Sequence, residues 1–321
     1  MLSLIIPTKG LDDYLFKTVC DYKLNIKYDY EIIIVYDINN ESQHNKFANY
    51  FINDKIIKLI YNPDKGRINA LNLGFRHSKG DIIKCIDADD KLLDGFFDEL
   101  LMMDKFPAHC HNATLVNEDN IPIGSYTFDI NILNKDYKFV LSNLKSAPRW
   151  VWSFKREIAE YIFPIPPELF AEDIWFCLII KKYCKKIYHI NSDLYIYRQH
   201  SGSEWGGITN FSRTVMVKRA RWNLALFPVL LDHKEQLNID SDSVFSKMIN
   251  YYEVLLGQKK LTYILFAKTT TYYKSKLFII LYLPSFATYL LNIKWLFSKY
   301  LIMVNSKLKV NKLQISSKNK V

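Results

Sequence analysis

The chain has 321 residues, of which 49% are apolar and 15% aromatic, so it can bury a sizeable core and is not a disordered chain. Its 43 basic and 33 acidic side chains give a net charge of +10, but residues 255–321 contain twelve lysines and no acid. The other 31 basic side chains almost balance the acids, which argues against a protein that binds nucleic acid over its whole surface.

The N-terminus and the cysteines indicate the compartment. Residues 1–6 are apolar for too short a stretch, without a basic flank, to form a signal peptide, so they predict a first strand. The chain has five cysteines, an odd number, and no CxxC pair, which predicts reduced thiols in the core of a cytosolic protein.

Alternating strand-like and helix-like segments fill the first 90 residues. Short apolar runs bounded by turn residues predict buried strands at 2–6, 31–36, 56–61 and 81–86. Helix-like stretches separate these runs at 12–22, 42–51 and 67–77. This alternation predicts an α/β fold with a doubly wound, mostly parallel, Rossmann-like sheet, in which ligands bind beyond the carboxyl ends of the strands.

The rest of the chain divides into two parts. Residues 91–200 mix short strands with helices, the clearest helix being predicted at 171–184, and the chain beyond residue 210 is predicted to be helical. We therefore expect a catalytic domain at 1–208, made of a nucleotide-binding half (1–90) and an acceptor-side half (91–208). A basic, apolar, α-helical appendage follows at 209–321.

Three carboxylates follow the predicted strand at 81–86 directly. Asp87, Asp89 and Asp90 stand where a hard divalent cation could be held between a carboxylate and the oxygens of a diphosphate. Alternatively, Asp89 or Asp90 caps a helix that begins near Leu92.

The order and spacing of these motifs resemble the family 2 glycosyltransferases. The resemblance covers residues 2–203 and implies a GT-A fold. The matching segments are SLIIPT (3–8), EIIIVYD (31–37), KGRINALNLG (65–74), SKGDII (78–83), DADD (87–90), WSFKR (152–156), FP (163–164), ED (172–173) and YIYRQHSGS (195–203).

The resemblance implies roles on the donor side. Pro7 and Thr8 would shape the nucleotide pocket, and Asp37 would accept a hydrogen bond from the base. Lys65 and Arg67 would meet the base or the diphosphate, although a solvated turn and helix start would explain them equally well. Family members often carry two acids where this chain has Tyr-Asp at 36–37, which leaves the nucleotide open.

The resemblance also implies a metal site and a base. Asp87 would touch the ribose or the ion, and Asp89 would ligate Mn²⁺ or Mg²⁺. Arg198 and His200 would close over the diphosphate, His200 as a metal or phosphate ligand. Asp173 matches the catalytic base of an inverting transfer, which must remove a proton from the acceptor hydroxyl; alternatively it is an acid in a first helical turn.

Tryptophans are candidates for the acceptor side. Trp150, Trp152 and Trp175 would form an apolar platform on which a sugar stacks, or they would pack in the core. Nothing resembles the QxxRW signature of processive family members, which predicts the addition of one sugar per encounter.

Together these observations predict an inverting, metal-dependent transfer from a nucleotide-sugar donor, expected to be UDP-linked. The acceptor would be a glycan or a lipid-linked molecule in bacterial surface polysaccharide or lipooligosaccharide synthesis. Two rival classes are a nucleotidyltransferase, for which the first strand should be followed by a phosphate loop richer in glycine than Gly10 alone, and a nucleic-acid-binding protein.

The C-terminal region predicts a membrane partner. Its apolar stretch at 277–291 is interrupted by Pro284 and is too short to span a bilayer. Lysines without acids predict peripheral attachment to the anionic inner face of the cytoplasmic membrane. A helical cap on the catalytic domain and a dimer contact are the alternatives.

Overall fold

The computed structural model describes the chain except for residues 26–27, 38–39, 52–53, 101, 103–104, 144, 200–212, 238–241, 261, 263–270, 284, 291 and 294–321. The chain forms two compact units. The first comprises Met1–Leu115, Tyr126–Val140 and Lys145–Arg198, and the second comprises Val116–Ser125, Leu141–Leu144 and Gln199–Val321. The predicted domain boundary after residue 208 lies outside the described residues.

The strands and helices alternate along the first 90 residues as predicted. The strands are β1 (Leu2–Thr8), β2 (Tyr30–Tyr36), β3 (Ile57–Tyr61), β4 (Ile82–Cys85), β5 (Lys91–Leu92), β6 (Ala108–Val116), β7 (Pro122–Tyr126), β8 (Trp152–Lys155) and β9 (Ile187–Arg198). The helices up to β9 are α1 (Asp13–Asn25), α2 (Glu41–Tyr50), α3 (Arg67–His77), α4 (Gly95–Glu99), α5 (Asn131–Asn134), α6 (Tyr137–Asn143), α7 (Arg156–Ile162) and α8 (Glu172–Tyr183).

The sheet has a parallel half and an antiparallel half. Its strands follow the order β3-β2-β1-β4-β8-β6-β9-β5. The first four pair in parallel, with Leu4 beside Ile32 and Lys84, whereas β8 runs antiparallel to β4 and β6, and β5 runs antiparallel to β9. The α/β fold is confirmed, and its parallel part lies within residues 1–90, the predicted nucleotide-binding half.

Helix α3 packs closely on the parallel half. A Cβ atom at Gly74 would lie 2.5 Å from Cγ2 of Ile5 and 3.3 Å from Cγ2 of Val35, so only glycine allows this approach. The contact fixes the start of α3, at Arg67, beside the carboxyl ends of β1 and β2.

The second unit includes most of β7, and its described residues beyond 212 are mainly helical, as predicted beyond residue 210. Its helices are α9 (Arg213–Asp232), α10 (Lys234–Leu237), α11 (Asp242–Leu255) and α12 (Thr271–Tyr282). Tyr251 and Val254 of α11 form a buried cluster with Tyr252, Leu255 and Leu281, so α12 packs on α11 through Leu281. Among the described residues, no helix combines the length and the apolar character needed to cross a bilayer.

All five cysteines are free thiols, and four are buried. Burial raises the pKa of the Cys85, Cys177 and Cys184 thiols to about 12. They are therefore core residues, as the sequence predicted, because the reactive form of cysteine is the thiolate.

Candidate active site

The carboxyl ends of β1, β2 and β4 meet at one edge of the sheet. The backbone N–H of Asp37 donates to the carbonyl of Thr8 (3.2 Å), and that of Ile86 donates to the carbonyl of Ile5 (3.0 Å). Pro7, Thr8, Asp37 and Asp87 therefore share this edge, where a doubly wound sheet binds its ligand.

Asp37 orders the loop that leads into α3. Its Oδ1 accepts a hydrogen bond from the side-chain amide of Asn62 (2.8 Å), and its Oδ2 accepts one from the backbone N–H of Gly66 (2.8 Å). Lys65 and Gly66 both have positive φ, 49° and 87°. The exposed Lys65 is thus held in a tight turn at the ligand edge, directly before Arg67.

The acidic loop after β4 has one buried and two partly exposed carboxylates. Asp90 is fully buried, and its Oδ1 accepts the backbone N–H of Arg198 (2.7 Å). Burial, followed by the charge of Asp89, raises the pKa of Asp90. Lys91–Leu92 pairs with β9 as a strand, so the interpretation of Asp89 or Asp90 as a cap for a helix near Leu92 is wrong.

Arg198 lies beneath the acidic loop. Its guanidinium stacks 4.2 Å from the ring centre of Tyr14, donates to the Tyr14 hydroxyl, and donates through Nε to the carbonyl of Asp89 (3.1 Å). The side chain is buried and packs against the acidic loop through these contacts. His200 lies outside the described residues.

An arginine that the motif analysis did not select connects the acids of the site. Arg149 is 4% exposed and donates to Oδ1 of Asp87 through Nη2 and to Oε1 of Glu172 through Nη1 (3.0 Å). Its backbone N–H donates to Oδ1 of Asp173 (2.8 Å). Arg67 also pairs with Glu172, with Nε 2.7 Å from Oε1. This acid–arginine network brings together residues that are distant in sequence.

One sequence signal could have revealed Arg149. The arginine stands inside an apolar stretch, residues 147–154, which contains five aromatic or aliphatic core residues. A guanidinium in such a stretch is costly to bury unless it is paired with acids.

Asp173 is an acid of the network whose pKa is raised. It lies in the first turn of α8, is partly accessible, and faces Glu172 and the cations Arg149 and Arg67. Desolvation, followed by the charge of Glu172, raises the pKa of Asp173 from 3.8 to about 7, against the opposing effect of Arg149. A carboxylate with such a pKa can accept a proton at neutral pH.

The three tryptophans belong to the core. Trp150, Trp152 and Trp175 are at most 3% exposed. The ring of Trp150 stacks on Tyr195 at 4.7 Å, and the indole N–H of Trp175 donates to the carbonyl of Ile162 (2.8 Å). The core-packing interpretation is confirmed, and the acceptor platform is wrong because no ring face is available to a sugar.

Asp87 and Asp89 suit a hard divalent cation whose other ligands come from a bound diphosphate and water. The described residues contain no group of three or more His, Cys, Asp or Glu side chains placed to hold an ion. Asp89 is partly exposed at the strand end, and Asp87 shares its carboxylate with Arg149. The pair therefore fits Mg²⁺ or Mn²⁺ only if a diphosphate and water supply most of the oxygen ligands, as is usual for Mg²⁺.

Comparisons with known proteins agree with this geometry. The model of the family "Glycosyl transferase family 2" matches residues 3–156, which include the parallel strands, the acidic loop and Arg149. Glycosyltransferase GlyG of Streptococcus pneumoniae is 22% identical over 233 residues, 63% of this chain and 72% of the relative. An uncharacterised glycosyltransferase of Nostoc is 24% identical over 219 residues, 63% of this chain and 66% of the relative.

Solved structures establish the fold. Residues 1–349 of Staphylococcus aureus TarS, in complex with UDP-GlcNAc, align with a TM-score of 0.52 at 15% identity, covering 87% of this chain and 78% of that one. The nucleotidyltransferase and nucleic-acid-binding alternatives are set aside. The GT-A fold and the matches to known glycosyltransferases together support a family 2 glycosyltransferase.

Proposed function

We propose that the chain transfers one sugar from a nucleotide-sugar donor to an acceptor hydroxyl, with inversion, and that Asp173 is the catalytic base. The single observation that supports this most is the raised pKa of Asp173, a partly accessible carboxylate beside the acid–arginine network. In TarS the bound donor is UDP-GlcNAc, which favours a UDP-sugar here.

The transfer is a single displacement. The acceptor oxygen forms a bond to the anomeric carbon while the bond from that carbon to the diphosphate oxygen breaks, and the nucleoside diphosphate departs with the bonding electrons. The proton of the acceptor hydroxyl passes to the carboxylate of Asp173. Attack opposite the leaving group inverts the anomeric configuration.

The donor-side residues bind the nucleotide sugar and orient it. Asp37, Pro7 and Thr8 surround the base and ribose, and the loop carrying Lys65 places cationic charge near the diphosphate. Arg67 and Arg149 pair with Glu172 and Asp87, so their guanidinium groups are held in fixed positions at the proposed diphosphate site.

Asp89 and Asp87, and His200 from outside the described residues, would hold the divalent ion. When bound, such an ion neutralises charge on the diphosphate and makes it a better leaving group. Asp87 would reach it only in part, because Arg149 already occupies one of its oxygens.

The acceptor is proposed to be a glycan or a lipid-linked molecule of bacterial surface polysaccharide or lipooligosaccharide synthesis, at the cytoplasmic face of the membrane. Support comes from an apolar stripe in the second unit, defined as Phe278, Tyr282, Phe286, Tyr289 and Ile293, each 44–61% exposed at helical spacing. Residues 255–321 carry twelve lysines and no acid, which suits an anionic lipid surface.

A panel of nucleotide sugars tests the proposed function. The purified full chain is incubated with each donor and Mn²⁺, and nucleoside diphosphate release is measured with and without EDTA. Release from one class of donor, abolished by EDTA, is the expected result. Release that EDTA leaves unchanged would remove the metal from the proposal, and release from none of the donors, with and without acceptor glycans, would contradict it.

A further inference from the structure

A lysine is buried in the middle of the sheet, three residues before Asp87, where the acidic loop begins. Lys84 of β4 is 0% exposed and lies between Leu4 of β1 and Ser153 of β8. A lysine amine in a core is costly unless its donors are satisfied. The proposed mechanism does not use this side chain.

The partners of Lys84 are a backbone carbonyl and a buried histidine. Its Nζ donates to the carbonyl of Trp150 (2.5 Å) and lies 2.7 Å from Nε2 of His111. Nδ1 of His111 lies 2.8 Å from the carbonyl of Asn112, which can only accept, so Nδ1 carries the proton and Nε2 accepts from Lys84. Within the described part of the chain no carboxylate pairs with this amine.

Trp150 connects this buried pair to the active site. It belongs to the short 3₁₀ turn Arg149–Val151, whose first residue donates to Asp173 through its backbone and to Asp87 and Glu172 through its side chain. Its ring stacks on Tyr195, whose hydroxyl accepts the backbone N–H of Asp87 (3.1 Å). The position of Trp150 therefore affects both the base and the acidic loop.

We propose that Lys84 and His111 are positioning residues for the transfer: by holding the Trp150 carbonyl, they fix the turn that carries Arg149 and so the placement of Asp173. This inference rests on the proposed role of Asp173. Neither side chain touches the substrate. Their main effect is on kcat, because a small displacement of a catalytic group has a large effect on rate. On the acidic loop they act only indirectly, through the ring of Trp150 and through Arg149.

The test compares Lys84→Met with Ser3→Ala. Methionine keeps the length of the side chain, removes both hydrogen bonds and places an apolar group at a position that is 0% exposed. Ser3→Ala removes a buried hydrogen bond to Glu31 (2.6 Å) from β1, outside the proposed site. The readouts are thermal stability, the Kd for UDP with Mn²⁺, and kcat and KM for release of UDP from the donor that the panel identifies.

We expect Lys84→Met to lower kcat by about 10-fold to 100-fold, with the KM for the donor and the Kd for UDP changed by less than about threefold, which is under 1 kcal/mol. Ser3→Ala should lower stability and leave kcat unchanged. A kcat within about twofold of wild type in a folded Lys84→Met protein would overturn the proposal, as would an equal loss of kcat in Ser3→Ala.

Two variants of His111 provide an independent test if Lys84→Met does not fold. Glutamine retains an acceptor for Lys84 and leucine does not, so kcat should be preserved in His111→Gln and reduced in His111→Leu. Equal kcat values for the two would overturn the proposal. The proposed function is tested separately by Asp173→Asn: wild-type turnover in that variant removes the base, whereas an inactive Asp173→Asn with a fully active Lys84→Met removes only the positioning role.

Discussion

Replacing Asp173 with asparagine should make the folded protein more stable at neutral and alkaline pH. Asparagine keeps an oxygen that can accept the backbone N–H of Arg149 (2.8 Å from Oδ1 of Asp173) and removes the charge. The folded-state pKa of Asp173 is raised to about 7 because desolvation and Glu172 outweigh the favourable charges of Arg149 and Arg67. Ionising this carboxylate therefore destabilises the native state.

The sign and the size follow from proton linkage. Between pH 3.8 and about 7 the native state retains a proton that the unfolded state has released, so the contribution of Asp173 to stability falls as pH rises through this window. At about 1.36 kcal/mol per pKa unit the full effect is roughly 4 kcal/mol. This is an upper limit, because the side chain is partly accessible to solvent, which screens its charge.

Urea unfolding of the two proteins at several pH values measures the effect. The variant should exceed wild type in free energy of unfolding by roughly 1–4 kcal/mol at pH 8, and the difference should vanish near pH 4. Asp13→Asn, which removes an exposed ion pair with Lys46 (2.5 Å), is the control and should give no stabilisation at pH 8. A difference that does not depend on pH, or an Asp173→Asn protein less stable at pH 8, would refute the reasoning.

Three further predictions follow from the site and the second unit. Arg149→Met should cost roughly 3–5 kcal/mol in unfolding free energy, because Asp87 loses its guanidinium partner and the buried Glu172 keeps only Arg67; a cost no larger than that of Lys46→Met, at an exposed pair, would contradict this. In calorimetry, Asp89→Ala should weaken UDP binding in Mn²⁺ by more than the roughly 10-fold typical of losing an outer-shell partner, and should have no effect in EDTA; equal weakening in both would remove the metal role. Phe278→Ser with Phe286→Ser should reduce sedimentation with phosphatidylglycerol vesicles, whereas Ile123→Ser, an equally exposed site outside the stripe, should not; wild-type binding that is equal on phosphatidylcholine would contradict an anionic surface.

The parallel half of the sheet could be predicted because its signals are local. The parallel strands β1, β2 and β4 are short runs buried on both faces, whereas β3 at the sheet edge is partly exposed. Helix α3 begins and ends at the predicted residues, 67 and 77. The acid at position 87 and the acid at position 37 follow strands directly, so adjacency of the strands alone brings them to one edge.

The other features depend on contacts between distant segments. Arg149 meets Asp87, 62 residues earlier, and Glu172, 23 residues later. Its place in an apolar stretch indicates a paired guanidinium, but no local pattern identifies the partners. Lys84 is a basic residue in a strand, which would suggest an exposed side chain. Its amine is buried instead, and one of its hydrogen-bond partners is His111, 27 residues away. Asp90 accepts the backbone N–H of Arg198 because β5 pairs with β9, about one hundred residues further along, and the sequence gives no sign of this pairing.

The tryptophans illustrate a different limit. Trp150 and Trp152 have the residue type that suits both a sugar platform and a core, and only their burial distinguishes the two. Leu281 packs on α11, so part of the C-terminal region belongs to the packed helices of the second unit. Truncation would disturb this packing, and the apolar stripe must therefore be tested by substitution.

The most direct test of the account is the pH dependence of kcat for wild type and Asp173→Asn with the donor that the panel identifies. Wild-type kcat should rise with pH through an apparent pKa far above 3.8, near the value of about 7 raised by burial and Glu172. The variant should be slower by roughly two to four orders of magnitude, with the Kd for UDP and Mn²⁺ unchanged. A wild-type profile that is flat from pH 5 to pH 8, together with an Asp173→Asn enzyme of equal kcat, would contradict a carboxylate base at this position.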